Sequence, residues 1–330
     1  MAPFVINQVK FADCYVQDKV PGGTGLYAAL GARAVTAKNE SSKVGCIVIA
    51  GYDFPDDVLG WIQSWGMNLL VHRETGKTST RGLLKYHDKN FAEKTFSFFA
   101  SPLLTQVFHL HGSPLLGASA FHFLEVPDIL EVQINQLRST RTVSAIGGVP
   151  KIVWEPKPSA CQSNGLDSHL RACKLVDVFS PTHIELQSLI GCDINASFSR
   201  VSIESCAEIF LASGISSTSA GYVVVRCGKY GNMARSRQGF CQWFPPYHTS
   251  TSHVVDATGS GISFLGGFTV GMIKSGGDIT EGMIYGTVAA SLVIEQFGLP
   301  TCQASASVEV WNDLDVEKRI REYRQRIRPA

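Results

Sequence analysis

Five short runs limit what this chain can fold into: 45–51 (GCIVIAG), 107–111 (VFHLH), 151–154 (KIVW), 175–179 (LVDVF) and 222–226 (YVVVR). They are mostly continuous in apolar residues, and each ends close to glycine or proline. A strand with one face in water alternates apolar and polar residues, whereas a strand covered on both faces does not. The runs therefore predict the central strands of a mostly parallel sheet, joined by right-handed βαβ connections inside an α/β/α sandwich. Four segments read as helices: 202–213, 263–275, 283–297 and 313–326. In the second, Phe264, Phe268 and Met272 recur every four residues; the third is richly apolar and stops before Gly298 and Pro300. The fourth starts acidic and ends in Arg321, Arg324 and Arg326, the order that complements a helix dipole.

Composition narrows the function classes. The 330 residues carry a formal charge of +1 with only 17% charged side chains, so no global field draws the chain to nucleic acid or an anionic membrane. Nine scattered cysteines without a CxxC pair read as reduced thiols. No apolar stretch reaches the length of a membrane span and no signal peptide is legible, so a cytoplasmic protein is expected. His109 and His111 alternate in a run read as a strand but lack further ligands at metal spacing. No linker or repeat divides the chain. The expectation is one domain over 1–330, with small lid or excursion elements within 8–24 and 75–100.

The segment with the most chemical content is 254–271, VVDATGSGISFLGGFTVG. It reads as a strand end, a small-residue turn and an apolar helix. Gly259 and Gly261 let backbone N–H groups approach closely, and Thr258 and Ser260 add hydroxyls. With the helix N-terminus they form a hole for phosphate, or else the same glycines serve tight helix packing; both readings stand at this point. A second glycine turn, Gly22-Gly23, precedes a small-faced helical segment and can face a polyol or a carboxylate. Arg81 offers planar donors for an anion. Trp154 and Glu155 close a probable central strand, where α/β sites form, with Trp154 either core or ligand wall.

These residues carry a resemblance. The run from Asp256 to Gly267 resembles the C-terminal signature of the PfkB, or ribokinase-like, carbohydrate kinases, DTxGAGDxFxxG, with Ile262 where that family has its catalytic aspartate. Residues 21–33, PGGTGLYAALGAR, resemble the N-terminal signature, with Leu26 or Tyr27 in place of the sugar-contacting asparagine and Asp13 near the position of a substrate-binding aspartate. Residues 180–186 (SPTHIEL) resemble PNxxE with Thr182 replacing asparagine, and 223–231 (VVVRCGKYG) resemble the VTxGxxG turn. A closer resemblance is to a fungal killer-maintenance-type branch of the family, through Thr80-Arg81-Gly82, Trp154-Glu155-Pro156, Arg226-Cys227-Gly228-Lys229 and Glu295-Gln296-Phe297-Gly298-Leu299-Pro300.

The resemblance implies a ribokinase-like three-layer α/β/α sandwich with a reduced lid. It implies ATP and Mg2+ as cofactors, with Gly228, Gly231, Arg226, Lys229, Thr258, Gly259, Ser260 and Gly261 around the phosphates and Glu185 acting indirectly on the metal. Asp13, Gly22, Gly23, Tyr27, Arg81, Trp154 and Glu155 would face a small-molecule substrate. Isoleucine cannot accept a proton, so Ile262 removes the family's general base, and His253 and Asp256 are the nearest candidate substitutes. Three functions follow: a weak kinase acting on a sugar, nucleoside or related hydroxyl, an altered enzyme of fungal specialised metabolism, or a pseudokinase that binds nucleotide or metabolite. A homodimer is compatible with the resemblance.

Overall fold

Apolar runs become strands here where helices cover the sheet, and the turns between them carry the polar residues. The computed structural model describes residues 4–10, 16–17, 20–86, 94–304 and 309–328. The chain divides into two compact units, one formed by Met1–His109, His248–Ser275 and Ile284–Ala330, the other by Leu110–Tyr247 and Gly276–Met283.

The first unit opens with β1 (Phe4–Lys10), β2 (Val16–Gln17), β3 (Val20–Gly22), α1 (Thr24–Ala34), β4 (Gly45–Gly51), α2 (Asp56–Ser64), β5 (Asn68–Glu74), β6 (Arg81–Tyr86) and β7 (Lys94–Phe98). β1 pairs in parallel with β6 and antiparallel with β2 and β3, and β7 pairs antiparallel with β6. β4 and β5 run parallel, from Gly45 opposite Asn68 to Gly51 opposite Glu74. The 107–111 run is not a strand. Val107–Leu110 is a 3-10 turn in which Val107 and Leu110 are buried while Phe108 is exposed. His109 is buried as well, and Gly112 follows at φ +69°, a turn conformation that ends the segment.

The second unit contains β8 (Ala120–Glu125), α3 (Pro127–Val143), β9 (Lys151–Pro156), α4 (Leu166–Cys173), β10 (Val178–Phe179), α5 (His183–Ile190), α6 (Arg200–Ser213), β11 (Tyr222–Arg226), β12 (Asn232–Ser236) and β13 (Cys241–Phe244). Its six-stranded sheet has the order β13-β12-β11-β10-β9-β8, parallel from β8 to β11 and antiparallel beyond. Ile152, Val153 and Trp154 of β9 and Val223, Val224 and Val225 of β11 are all buried, as continuous apolar runs require. Only Val178 and Phe179 of the 175–179 run are strand residues, although Asp177 already bonds both neighbouring strands, its N–H donating to the Ile152 carbonyl and its carbonyl accepting the Tyr222 N–H.

The chain then supplies α7 (Ser260–Lys274), α8 (Ile279–Val293), β14 (Cys302–Ala304), β15 (Glu309–Trp311) and α9 (Val316–Ile327). Asp315 caps α9 by accepting the Lys318 N–H. In the first unit α1 and α7 meet backbone to backbone. A Cβ on Gly31 would lie 2.1 Å from the Ser263 carbonyl oxygen, and one on Gly266 would lie 1.9 Å from that of Ala28. Gly267 faces the other way, where a Cβ would fall 2.6 Å from that of Ala289 on α8. The paired glycines of FLGGF thus admit a helix on each side. Arg33, 2% exposed, ties α1 to β15 by gripping both carboxylate oxygens of Glu309, and donates to the Trp65 carbonyl. No helix among the described residues is long and apolar enough to cross a membrane.

The close helix contact predicts opposite outcomes for two glycine-to-alanine changes. Gly266→Ala forces backbone apart and lowers unfolding stability by about 1–3 kcal/mol. Gly60→Ala in α2, where a Cβ meets nothing within 4 Å, raises it by up to about 1 kcal/mol through helix propensity. Chemical denaturation midpoints of the two variants check both signs.

Candidate functional site

In the first unit, the α1–α7 contact brings two helix N-termini together. Tyr27, in the first turn of α1, lies against Gly259, the N-cap of α7; a Cβ on Gly259 would sit 2.3 Å from the Tyr27 ring. Gly259 also has φ +80°, a left-handed conformation that glycine adopts without strain. Neither N-cap, Gly23 or Gly259, supplies a side-chain cap, and at α7 the Ser260 N–H donates to the Ala257 carbonyl at 3.3 Å. Ser263 Oγ donates to the Tyr27 carbonyl at 2.8 Å and fixes the relation of the two turns.

Asp256, 6% exposed, organises the loop before α7. Its Oδ1 accepts the Thr258 N–H at 3.0 Å and the Thr258 hydroxyl at 2.8 Å. With that proton spent, Thr258 Oγ1 accepts from the Tyr86 hydroxyl at 2.9 Å. Burial first, and the Asp256 charge after it, push the Tyr27 phenol well above the usual tyrosine range. Burial is also the main cause for Tyr86, with Asp256 adding to it and the Thr258 hydrogen bond opposing it. Both phenols are therefore neutral donors at physiological pH. Ile262 lies in the first turn of α7 and is half-buried, whereas the next residue, Ser263, is fully buried.

The other candidates of this unit are placed as follows. Gly22 ends β3 and Gly23 begins α1. Arg81 does not stand open to an anion: its Nη2 pairs with Asp53 Oδ2 at 2.7 Å, and Asp53 Oδ1 accepts the Ser79 N–H. His253 is exposed and stacks on His248, which contacts Glu295 at 2.8 Å. Asp256 holds the turn through Thr258, so of the two candidate bases neither is an open carboxylate or imidazole fixed on the turn. Asp13 lies outside the described residues.

In the second unit the charged candidates gather where the parallel strands end. Glu155 near the end of β9 and Arg226 at the end of β11 form a buried ion pair, Nη1 to Oε1 at 2.7 Å. Arg226 Nη2 donates to the Ser180 carbonyl at 2.9 Å and lies 3.8 Å from Glu185 Oε2. His122 Nε2 stands 3.3 Å from Glu155 Oε2. Burial opposes charge on Glu155, but Arg226 and His122 together outweigh it and hold the carboxyl below its usual range. Burial wins at Glu185, whose carboxyl is pushed up despite Arg226.

Glu185 is part of a capping box: its N–H donates to Thr182 Oγ1 at 3.2 Å, and the Thr182 N–H donates to Glu185 Oε2 at 2.8 Å. Magnesium needs near-octahedral oxygen ligation. Here the acidic candidate is engaged with a backbone N–H, its neighbouring hydroxyl is engaged in return, and a guanidinium stands beside it. No group of three side-chain metal ligands occurs among the described residues, so this cluster does not hold Mg2+ by direct ligation; an indirect role of Glu185 would pass through metal-bound water. Trp154 is core: it is 0% exposed, donates its indole N–H to the Glu125 carbonyl at 2.9 Å, and packs on His169 and Phe179. Gly228 and Gly231 bound an exposed turn at φ +54° and +87°, and Lys229 lies over the Tyr230 ring. A Cβ on Gly228 would meet nothing within 4 Å, which leaves room for a ligand against the backbone.

Sequence reasoning missed His122, Ser180 and Ser263. Ser180 and Ser263 act through single hydrogen bonds to distant carbonyls, a pairing no local spacing reveals. The signal for the ion pair was present: Glu155 and Arg226 are opposite charges closing two runs of buried apolar residues.

Residues 4–306 match the sequence profile of the family described as pfkB family carbohydrate kinase. Protein MAK32 of Saccharomyces cerevisiae is 30% identical over 335 residues, covering 97% of this chain and 90% of that protein. Among solved structures, ribokinase from Giardia lamblia superposes with a TM-score of 0.67 at 14% identity, covering 90% of this chain and 91% of that one. A putative ribokinase II from E. coli, solved in complex with ATP and Mg2+, gives a TM-score of 0.64 at 16% identity, covering 99% of this chain and all of that one (100%). The fold is the ribokinase-like three-layer α/β/α sandwich.

The opposed shifts of the two glutamates give opposed pH responses. Glu155 contributes stability that is complete above its unfolded pKa, about 4.3, and is lost as pH falls through its folded value. Glu185, shifted up, contributes stability that is complete below about pH 4.3 and is lost as pH rises through its folded value. Glu155→Gln therefore costs about 3–5 kcal/mol near neutral pH, a deficit that shrinks in acid. Glu185→Gln gains on the wild type as pH rises above about 4.3. Denaturant unfolding across a pH series checks both slopes.

Proposed function

Because the chain belongs to the pfkB family of carbohydrate kinases, we propose that it is a diverged small-molecule kinase, transferring phosphate from ATP slowly to a hydroxyl of a sugar, nucleoside or related metabolite. The observation that carries this reading is the paired helix N-termini around Gly23 and Gly259, uncapped by side chains and fixed by the Ser263–Tyr27 bond, with Ile262 half-buried at the start of α7. ATP would supply the transferable phosphate. The N–H groups opening α7, shaped by Gly259, would stabilise the charge on it. The N–H groups opening α1, with Gly22 and Gly23, would orient the acceptor.

In this reading Asp256 works through structure: it fixes Thr258 through the Thr258 N–H and hydroxyl. No side chain takes the acceptor proton at position 262, so it leaves to solvent or to the phosphate oxygens. Phosphoryl transfer rests mainly on positioning and charge stabilisation, so the reaction slows without stopping. Loss of a general base costs about 10²–10⁴ in rate.

A second reading, a binding protein without turnover, is favoured by the cluster of the second unit. Glu185, assigned by resemblance to the metal, is engaged in a capping box beside Arg226. Titration calorimetry with a non-hydrolysable ATP analogue separates the second reading from an inert fold. Product mass measured for wild type and Ile262→Asp across sugars and nucleosides then tests the first. A rate gain of about 10²–10⁴ in I262D is expected. Equal turnover in the two proteins points to another base, and no nucleotide binding by the folded wild type contradicts the kinase.

A further inference from the structure

We infer that Arg226 is a resident cation, placed between Glu155 and Glu185 where two carboxylates would otherwise recruit a divalent metal, so that the wild-type protein binds no Mg2+ or Mn2+ through this pair. The inference goes beyond the kinase reading and does not depend on it, since it concerns the protein without nucleotide.

The geometry is complete within the second unit. One guanidinium faces both acids, Nη1 2.7 Å from Glu155 Oε1 and Nη2 3.8 Å from Glu185 Oε2, and the Ser180 carbonyl accepts from Nη2 at 2.9 Å. Arg226 is 6% exposed and Glu155 is 6% exposed, so neither charge is relieved by bulk water. Two of the carboxylate oxygens already accept hydrogen bonds, while Glu155 Oε2 is buried without one among the described residues. Glu155 Oε1 accepts from Arg226, its Oε2 faces His122 Nε2 at 3.3 Å, and Glu185 Oε2 accepts the Thr182 N–H. A divalent ion entering here would take up a position beside a fixed positive charge and displace three existing contacts.

The unfilled hydrogen-bonding capacity here is mixed: Arg226 Nε is an unpartnered donor, and Glu155 Oε2 and His122 Nε2, 3.3 Å apart, are unpartnered too among the described residues. The fixed charge of the guanidinium between the two acids therefore decides against a second cation. Arginine suits this place because its planar fork serves two acceptors at once and its charge is permanent at any physiological pH. The sequence places that charge at the end of β11, after Val223, Val224 and Val225, where burial of the strand fixes the guanidinium's origin.

Replacing the arginine should turn the cluster into a metal site. In Arg226→Met the two acids lose their shared cation while the apolar stem of the side chain is kept. The test uses the full chain without nucleotide, with Mn2+ as probe read by electron paramagnetic resonance, and melting temperature with and without Mn2+ against NaCl of equal ionic strength. Wild type is expected to show no saturable binding and no specific change in melting. R226M is expected to bind Mn2+ saturably, at least tenfold more tightly than wild type, and R226M/E185Q is expected to lose that gain. Saturable binding in the wild type that Glu185→Gln abolishes overturns the inference, and so does a folded R226M that binds no Mn2+. Should R226M fail to fold, wild type and E185Q decide, because glutamine preserves the capping box. No Mn2+ response in either supports a resident cation; a wild-type response lost in E185Q refutes it.

Discussion

The backbone contact between α1 and α7 is the constraint on which the proposed site depends. Helices with ordinary side chains pack with axes 8–10 Å apart. Here Gly31 and Gly266 let the Ser263 and Ala28 carbonyls occupy the space where a Cβ would be. That approach seats Tyr27 on Gly259 and lets Ser263 reach the Tyr27 carbonyl. The glycines of the 254–271 segment therefore divide their labour: Gly266 and Gly267 serve helix packing, and Gly259 shapes the turn. Of the two readings left open by the sequence, tight packing is what the structure shows at Gly266 and Gly267, and the phosphate hole at Gly259 belongs to the proposal.

Chemistry in the two units rests on different physics. Around α7 the useful groups are backbone N–H groups, and the ionisable residues act indirectly: Asp256 is consumed by Thr258, and its charge helps keep two tyrosines neutral. At the strand ends of the second unit, full charges are buried and must answer one another. Burial opposes charge on both acids; at Glu155 the close Arg226 and His122 outweigh it, whereas at Glu185 burial prevails over the more distant Arg226 and the Thr182 hydrogen bonds. A single arginine thus favours the charged form of both acids, and burial decides how far each follows it.

Much of this was legible in the sequence where the physics is local. The runs that became β4, β9 and β11 are continuous because both faces are buried, and Asp315 caps α9 just where the acidic start of that segment pointed. The 107–111 run misled because period two and period three are hard to tell apart over so short a stretch. β5 was overlooked since its residues Asn68–Glu74 are largely half-exposed and include His72 and Arg73. At the site, glycine positions were readable and side-chain roles were not. Trp154 and Arg81 look like ligand groups in one dimension. In three, one is sealed by Glu125, His169 and Phe179, and the other already holds Asp53. Partners 15 or more residues away decide such roles, and no spacing rule encodes them.

The central claim is that an anion cradle persists at the start of α7 although position 262 can no longer move a proton. The most direct measurement is a crystal structure of the wild type with a non-hydrolysable ATP analogue. The account predicts the terminal phosphate on the backbone N–H groups that follow Gly259, with Ile262 beside the space left for an acceptor. Nucleotide bound elsewhere, with the α7 turn closed to phosphate, would contradict it.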